Sequence, residues 1–196
     1  MRRRAFLTGL GLLLAACRAQ TAPEASSTLE PSPRPVSLFL TPPPPPGPLA
    51  FPRDFGSHDV LTEWWYYTGH LHAATAERFG FEFVIFQVQR FGYPVVYAAH
   101  AAVTLIDRQA FHWDERLVSL PQRQASWPLE LHVGDWTLVS DGESDRITTR
   151  SVPFAFDLSL RSTRAPVLHH GGYFEWAPAT GSFYYSRTRL IVEGRL

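Results

Sequence analysis

The sequence predicts an all-β domain of antiparallel strands, closed as a barrel or left as an open barrel or sandwich. Three observations carry this expectation. From Phe51 onward apolar and polar residues alternate with a period of two, the pattern of strands with distinct faces. Aromatic residues make up 14% of the chain, six of them Trp, and such side chains fit a pleated sheet surface. Seventeen Pro and 13 Gly punctuate the chain too often for a helical bundle.

Composition also excludes several function classes. Eighteen Arg balance 18 acids and there is no Lys, so the formal charge is zero and the basic footprint of a general nucleic-acid binder is missing. A single Cys excludes a disulfide framework and any Cys-rich zinc module. With 45% apolar and 18% charged residues the chain is not disordered as a whole.

The elements follow in chain order. Residues 1–17 read as an export signal rather than as part of the fold. Arg2, Arg3 and Arg4 form a positive start, and 5–16 is an apolar run of twelve residues, too short to span a bilayer that takes about twenty residues of helix. The run ends Leu14-Ala15-Ala16-Cys17, which looks like a bacterial lipoprotein signal, with Cys17 as the residue that is lipidated and becomes the new N-terminus. Arg3-Arg4-Ala5-Phe6-Leu7 resembles a twin-arginine export signal. The expected location is therefore the periplasmic or extracellular face of a membrane, held by acyl chains, since each buried methylene contributes about 0.8 kcal/mol. Residues 18–50 read as a proline-rich spacer; Pro42 to Pro46 should adopt polyproline II and act as a semi-rigid arm.

The folded domain is expected over 51–196. Strand-like runs occur at 78–90, 95–106, 110–117, 129–139, 146–160 and 182–192, spaced as in an antiparallel meander. Turn signals at 73–77, 91–94, Gly134-Asp135 and 140–142 separate them. Pro153, inside the 146–160 run, predicts an edge or a bulge there.

The densest chemical feature is Thr62-Glu63-Trp64-Trp65-Tyr66-Tyr67-Thr68-Gly69. On a strand, Glu63, Trp65 and Tyr67 share one face while Trp64, Tyr66 and Thr68 share the other. These rings either fill a core, where Trp and Tyr each bury about 150–250 Å², or line an apolar cavity with Glu63 as a buried acid. Phe81 and Phe83 flank Glu82 in a second version of the same arrangement. A carboxyl in an apolar pocket stays protonated more readily, and aromatic faces stabilise a cation, so Glu63 and Glu82 are the weak candidates for proton donation. In the competing reading each is a carboxylate that is hydrogen-bonded or paired with an arginine such as Arg53, Arg187 or Arg189. His100, within the apolar 97–103, reads as a hydrogen-bonded core histidine beside that lining. His70 and His72 share a strand face, but no third ligand can be placed for a metal. There is no Gly-x-Ser-x-Gly elbow and no phosphate-cradling Gly loop, and no cofactor is implied.

Phe51-Pro52-Arg53-Asp54-Phe55-Gly56-Ser57-His58, the Glu63-Trp64-Trp65-Tyr66-Tyr67 run, Phe79-Gly80-Phe81, Ala99-His100-Ala101-Ala102 and Ser182-Phe183-Tyr184-Tyr185-Ser186-Arg187 together resemble the AttH / hydroxyneurosporene synthase family, which includes carotenoid 1,2-hydratases and lipocalin-like secreted proteins. The resemblance implies lipocalin-like β-barrels, two in succession, and an apolar small molecule such as a carotenoid, other isoprenoid or lipid as ligand. Trp64, Trp65, Tyr66, Tyr67, Phe81, Phe83, His100, Tyr184 and Tyr185 are the expected lining residues for such a ligand. The chain stops at Leu196, where the family continues into its second barrel; the expectation is a truncated or split frame, and the family's catalytic acid has no counterpart to transfer. Three functions follow as expectations: a carrier of an apolar ligand on a lipoprotein, a hydro-lyase or polyene cyclase, or a non-catalytic half that pairs with a separately encoded second barrel.

Overall fold

The structure, a computed structural model, describes residues 47–196 except 125 and 179. The expected export signal, Cys17 and the proline-rich arm up to residue 46 lie outside the described residues. The described part is nearly all antiparallel β structure with no closed barrel.

Four long strands form the first sheet in simple meander order: β1 (Thr62–His72), β2 (Arg78–Val88), β3 (Val95–Leu105) and β4 (Ala110–Leu120). The second sheet holds β5 (Leu129–Val133), β6 (Trp136–Ser140), β7 (Ser144–Arg150), β8 (Ala155–Ser162) and β11 (Leu190–Arg195), with β11 added at the edge beside β8. Strands β9 (Val167–Ala177) and β10 (Thr180–Ser186) form a separate two-stranded ribbon.

Alternation decides which side of each strand is inside. Trp65 on β1, Phe81, Phe83 and Ile85 on β2, and Tyr97, Ala99 and Ala101 on β3 face the second sheet. Leu131, Leu138, Ile147 and Leu158, opposite one another across β5, β6, β7 and β8, meet them. Phe83 touches Trp136 and Phe156, with ring centroids 6.4 and 6.1 Å apart. The space between the sheets is thus filled by side chains that are 0–8% exposed. Arg116 caps one end, its guanidinium 4.7 Å above the Trp136 ring.

Three sequence expectations are revised here. The 146–160 run is not one bulged strand: Pro153 sits in the turn between β7 and β8, because a residue without an N–H interrupts the ladder. The 182–192 run is two strands in different sheets, divided at Arg187–Arg189, where Arg189 adopts φ +59°. Strand β9 is absent from the expected runs; His170, Gly171 and Gly172 all carry positive φ and interrupt its alternation.

Candidate functional site

The open space lies at the rim rather than between the sheets. A cleft of about 740 Å³ runs along β1 and faces the β9–β10 ribbon. Seven consecutive residues, Thr62 to Thr68, line it. Side chains on a strand alternate in direction, so an unbroken run means that the strand edge itself forms the wall. This follows from the topology: β1 pairs only with β2, and its other edge faces the cleft. Where a closed barrel would hydrogen-bond its first strand to its last, this domain leaves a seam.

The segment before β1 is fastened to the sheet by buried polar contacts. The Trp65 indole N–H donates to the Phe55 carbonyl at 3.0 Å. Gln87, fully buried, donates to the His58 carbonyl at 3.0 Å and accepts from Ser57 and Tyr97 hydroxyls at 3.1 and 2.9 Å. Gly56 is required by close approach: a Cβ there would stand 2.0 Å from the Ser126 carbonyl oxygen. These contacts hold the turn at Arg53–Phe55 and the following residues against the mouth of the cleft.

Three acid–base pairs stand in the cleft wall. Glu63 accepts from the His58 backbone N–H at 2.8 Å and lies 2.6 Å from its Nδ1. Asp54 takes the Arg53 guanidinium at 2.6 and 2.9 Å and the Ala50 N–H at 2.6 Å, and approaches His58 Nε2 at 3.5 Å. The Arg53 hydrogen bonds are the main reason its carboxyl is held down at about 2. His58, between two carboxylates, is raised above the usual imidazole value, chiefly by the Glu63 hydrogen bond. The third pair is the most buried: Arg187 Nη1 lies 2.5 Å from Asp145, whose side chain is 0% exposed and which also accepts from Ser140. Arg187 lies just beyond β10 and Asp145 on β7, so this pair ties the ribbon to the second sheet.

Two tyrosines join these pairs. The Tyr185 hydroxyl donates to the Asp54 carbonyl at 3.1 Å, and its ring packs on Phe51 and Phe55 at 4.9 and 5.7 Å. Burial, then the nearby Glu63 charge, pushes its phenol upward. Tyr67 is likewise raised, by burial first and then by the Asp145 carboxylate.

The expected site residues separate into two groups. Trp64, Trp65, Tyr66, Tyr67, Tyr184, Tyr185 and Glu63 all border the cleft. Phe81 and Phe83 do not; they lie in the packed core against Phe156. Glu82 lies on the outer face of the first sheet, between Thr68 and Ala102. His100 is not a core histidine: it sits exposed on that same outer face, its Nε2 3.8 Å from Glu115, because Ala99 and Ala101 take the inward positions of β3. Glu63 is paired, but with His58 rather than with an arginine; Arg53 and Arg187 serve Asp54 and Asp145 instead. Asp54, His58 and Asp145 were not among the expected site residues, and Arg187 was expected only as a partner for Glu63 or Glu82. Nothing in the alternation marks them, since His58 lies in a loop and Arg187 follows a strand. Among the described residues no three of His, Cys, Asp and Glu converge as a metal site requires.

Fold and cleft together define an open, antiparallel β domain with a cleft along the free edge of β1. A family model described as AttH-like matches residues 42–196, and the chain belongs to that family. Neither the curated proteins nor the solved structures yield a match.

Proposed function

We propose that this domain binds an apolar, isoprenoid- or lipid-like molecule in the seam cleft between β1 and the β9–β10 ribbon, as part of an exported lipoprotein. One observation carries the reading: the cleft, about 740 Å³, combines aromatic and aliphatic walls with a few fixed polar groups, the make-up of small-molecule sites. Trp64 and Trp65 border it, so occupancy reads out as intrinsic fluorescence. Titration with a carotenoid or retinoid at micromolar concentration quenches and shifts the Trp emission; flat emission throughout contradicts the proposal.

The anchoring part of the proposal rests on the Leu14-Ala15-Ala16-Cys17 motif and the Arg2-Arg3-Arg4 start. Cells fed an alkyne-bearing fatty acid incorporate it into the wild-type chain and not into Cys17→Ser. Labelling that survives the substitution contradicts lipidation at that residue.

A second reading, an isoprenoid hydratase or polyene cyclase, is favoured by the His58–Glu63 pair at the cleft. An imidazole hydrogen-bonded to a carboxylate is a competent proton donor to a bound olefin or leaving group. Incubation of a bound polyene with the protein in H₂¹⁸O separates the readings: a hydratase places ¹⁸O in the product, a cyclase gives an isomer of the same mass without ¹⁸O, and a carrier returns the ligand unchanged.

A further inference from the structure

The polar groups of the cleft also select the head of its ligand, an argument that rests on the binding reading above. Three carboxylates and three basic groups line the wall: Asp54 with Arg53, Glu63 with His58, and Asp145 with Arg187. With His58 protonated the set is neutral, so a charged head of either sign finds no free counter-charge. The side-chain acceptors are occupied. Asp54 takes three donors from Arg53 and Ala50, Glu63 takes two from His58, and Asp145 takes two from Ser140 and Arg187.

Among the buried side-chain atoms of the residues that line the cleft, one donor remains without a partner. Arg187 Nη2 is shielded from water and has no acceptor, although Arg187 borders the cleft and is 11% exposed. The guanidinium lies 4.7 Å above the Phe55 ring, which supports its charge but offers no acceptor oxygen, so the buried Nη2 donor would be met by an oxygen brought by a ligand. We infer that the natural ligand is an uncharged apolar molecule with a carbonyl or hydroxyl oxygen at one end, and that on binding the Arg187 guanidinium turns Nη2 toward the cleft to receive this oxygen. An acid is disfavoured because it brings a fourth negative charge; an amine is disfavoured because, protonated, it brings a fourth positive charge and no acceptor for Nη2. A pure hydrocarbon leaves the donor unmet.

The test is a single polyene with five heads, titrated into the full-length protein at pH 6, below the ordinary imidazole value: retinal, retinol, retinoate, retinylamine and the hydrocarbon with a methyl head. The chain has no Lys, so retinal forms no side-chain Schiff base. The expected result is a Kd for the aldehyde and the alcohol at least tenfold lower than for the other three. In the double variant Asp145→Leu/Arg187→Met, which removes the pair together, aldehyde and hydrocarbon bind with the same Kd. Should that variant fail to fold, the wild-type series still decides. Retinoate or retinylamine binding as tightly as retinal overturns the inference while leaving the cleft as an apolar site, and so does a hydrocarbon that matches the aldehyde. Absence of binding by all five overturns both.

Discussion

At the scale of single residues, His58 concentrates the electrostatics of the cleft. Its folded-state pKa is raised, first by Glu63 and then by Asp54, against the opposing effect of burial. Protonated His58 therefore stabilises the fold fully below about pH 6.5, the unfolded value, and this contribution is lost as pH rises through the raised folded value. NMR titration of the His58 ring is expected to give a midpoint above 6.5 and to fall when Glu63 is replaced by Gln. An unchanged midpoint in Glu63→Gln contradicts the pairing. Trp65 illustrates a different demand, since its indole satisfies the Phe55 carbonyl. Trp65→Phe keeps most of the ring but strands that acceptor, and chemical denaturation is expected to show a loss of about 1–3 kcal/mol. The distinctiveness of Glu63 was legible in the sequence, because an acid amid four aromatics stands out. Its partner was not: a loop that turns back within five residues leaves no periodic trace.

At the scale of elements, the β9–β10 ribbon raises a stability problem, because an isolated two-stranded hairpin is marginal in water. Its attachment depends on Tyr185 against Asp54, Phe51 and Phe55, and on Arg187 against Asp145. Arg187→Met leaves Asp145 charged and fully buried, and is expected to destabilise the domain by about 3–5 kcal/mol in urea. Replacing both, as Asp145→Leu/Arg187→Met, is expected to recover most of that loss, because no uncompensated charge remains. A double variant as unstable as the single one contradicts this account. The long strands of the first sheet were readable from the sequence since Phe79, Phe81, Phe83 and Ile85 alternate cleanly. The ribbon was not. Gly171, Gly172 and the two histidines break the alternation of β9, and the turn between β10 and β11 is hidden because neither Gly nor Pro marks Arg187–Arg189.

For the whole molecule, the two sheets form a solid core and the free edge of β1 forms a seam. Aromatic richness predicted inward-facing rings but could not say whether they enclose space or fill it; volume is a property of all the strands together, and here Phe83, Trp136 and Phe156 occupy the centre. Two phenols, Tyr67 and Tyr185, are held neutral at the seam by burial and neighbouring carboxylates. A raised folded-state pKa contributes stability that is present below the unfolded value near 10 and declines as pH rises through the folded one. Thermal melts are therefore expected to show Tm falling steeply above about pH 10, and less steeply in Tyr67→Phe, whose ring has no proton to lose.

The location of the ligand tests the central claim most directly. With a bound retinoid, NOEs from its methyl groups are expected to reach the rings of Trp64, Tyr67, Tyr184 and Tyr185, and to miss Phe83 and Trp136. Contacts to Phe83 and Trp136, or only to Trp113 and Phe111 on the outer face of the first sheet, contradict a seam site.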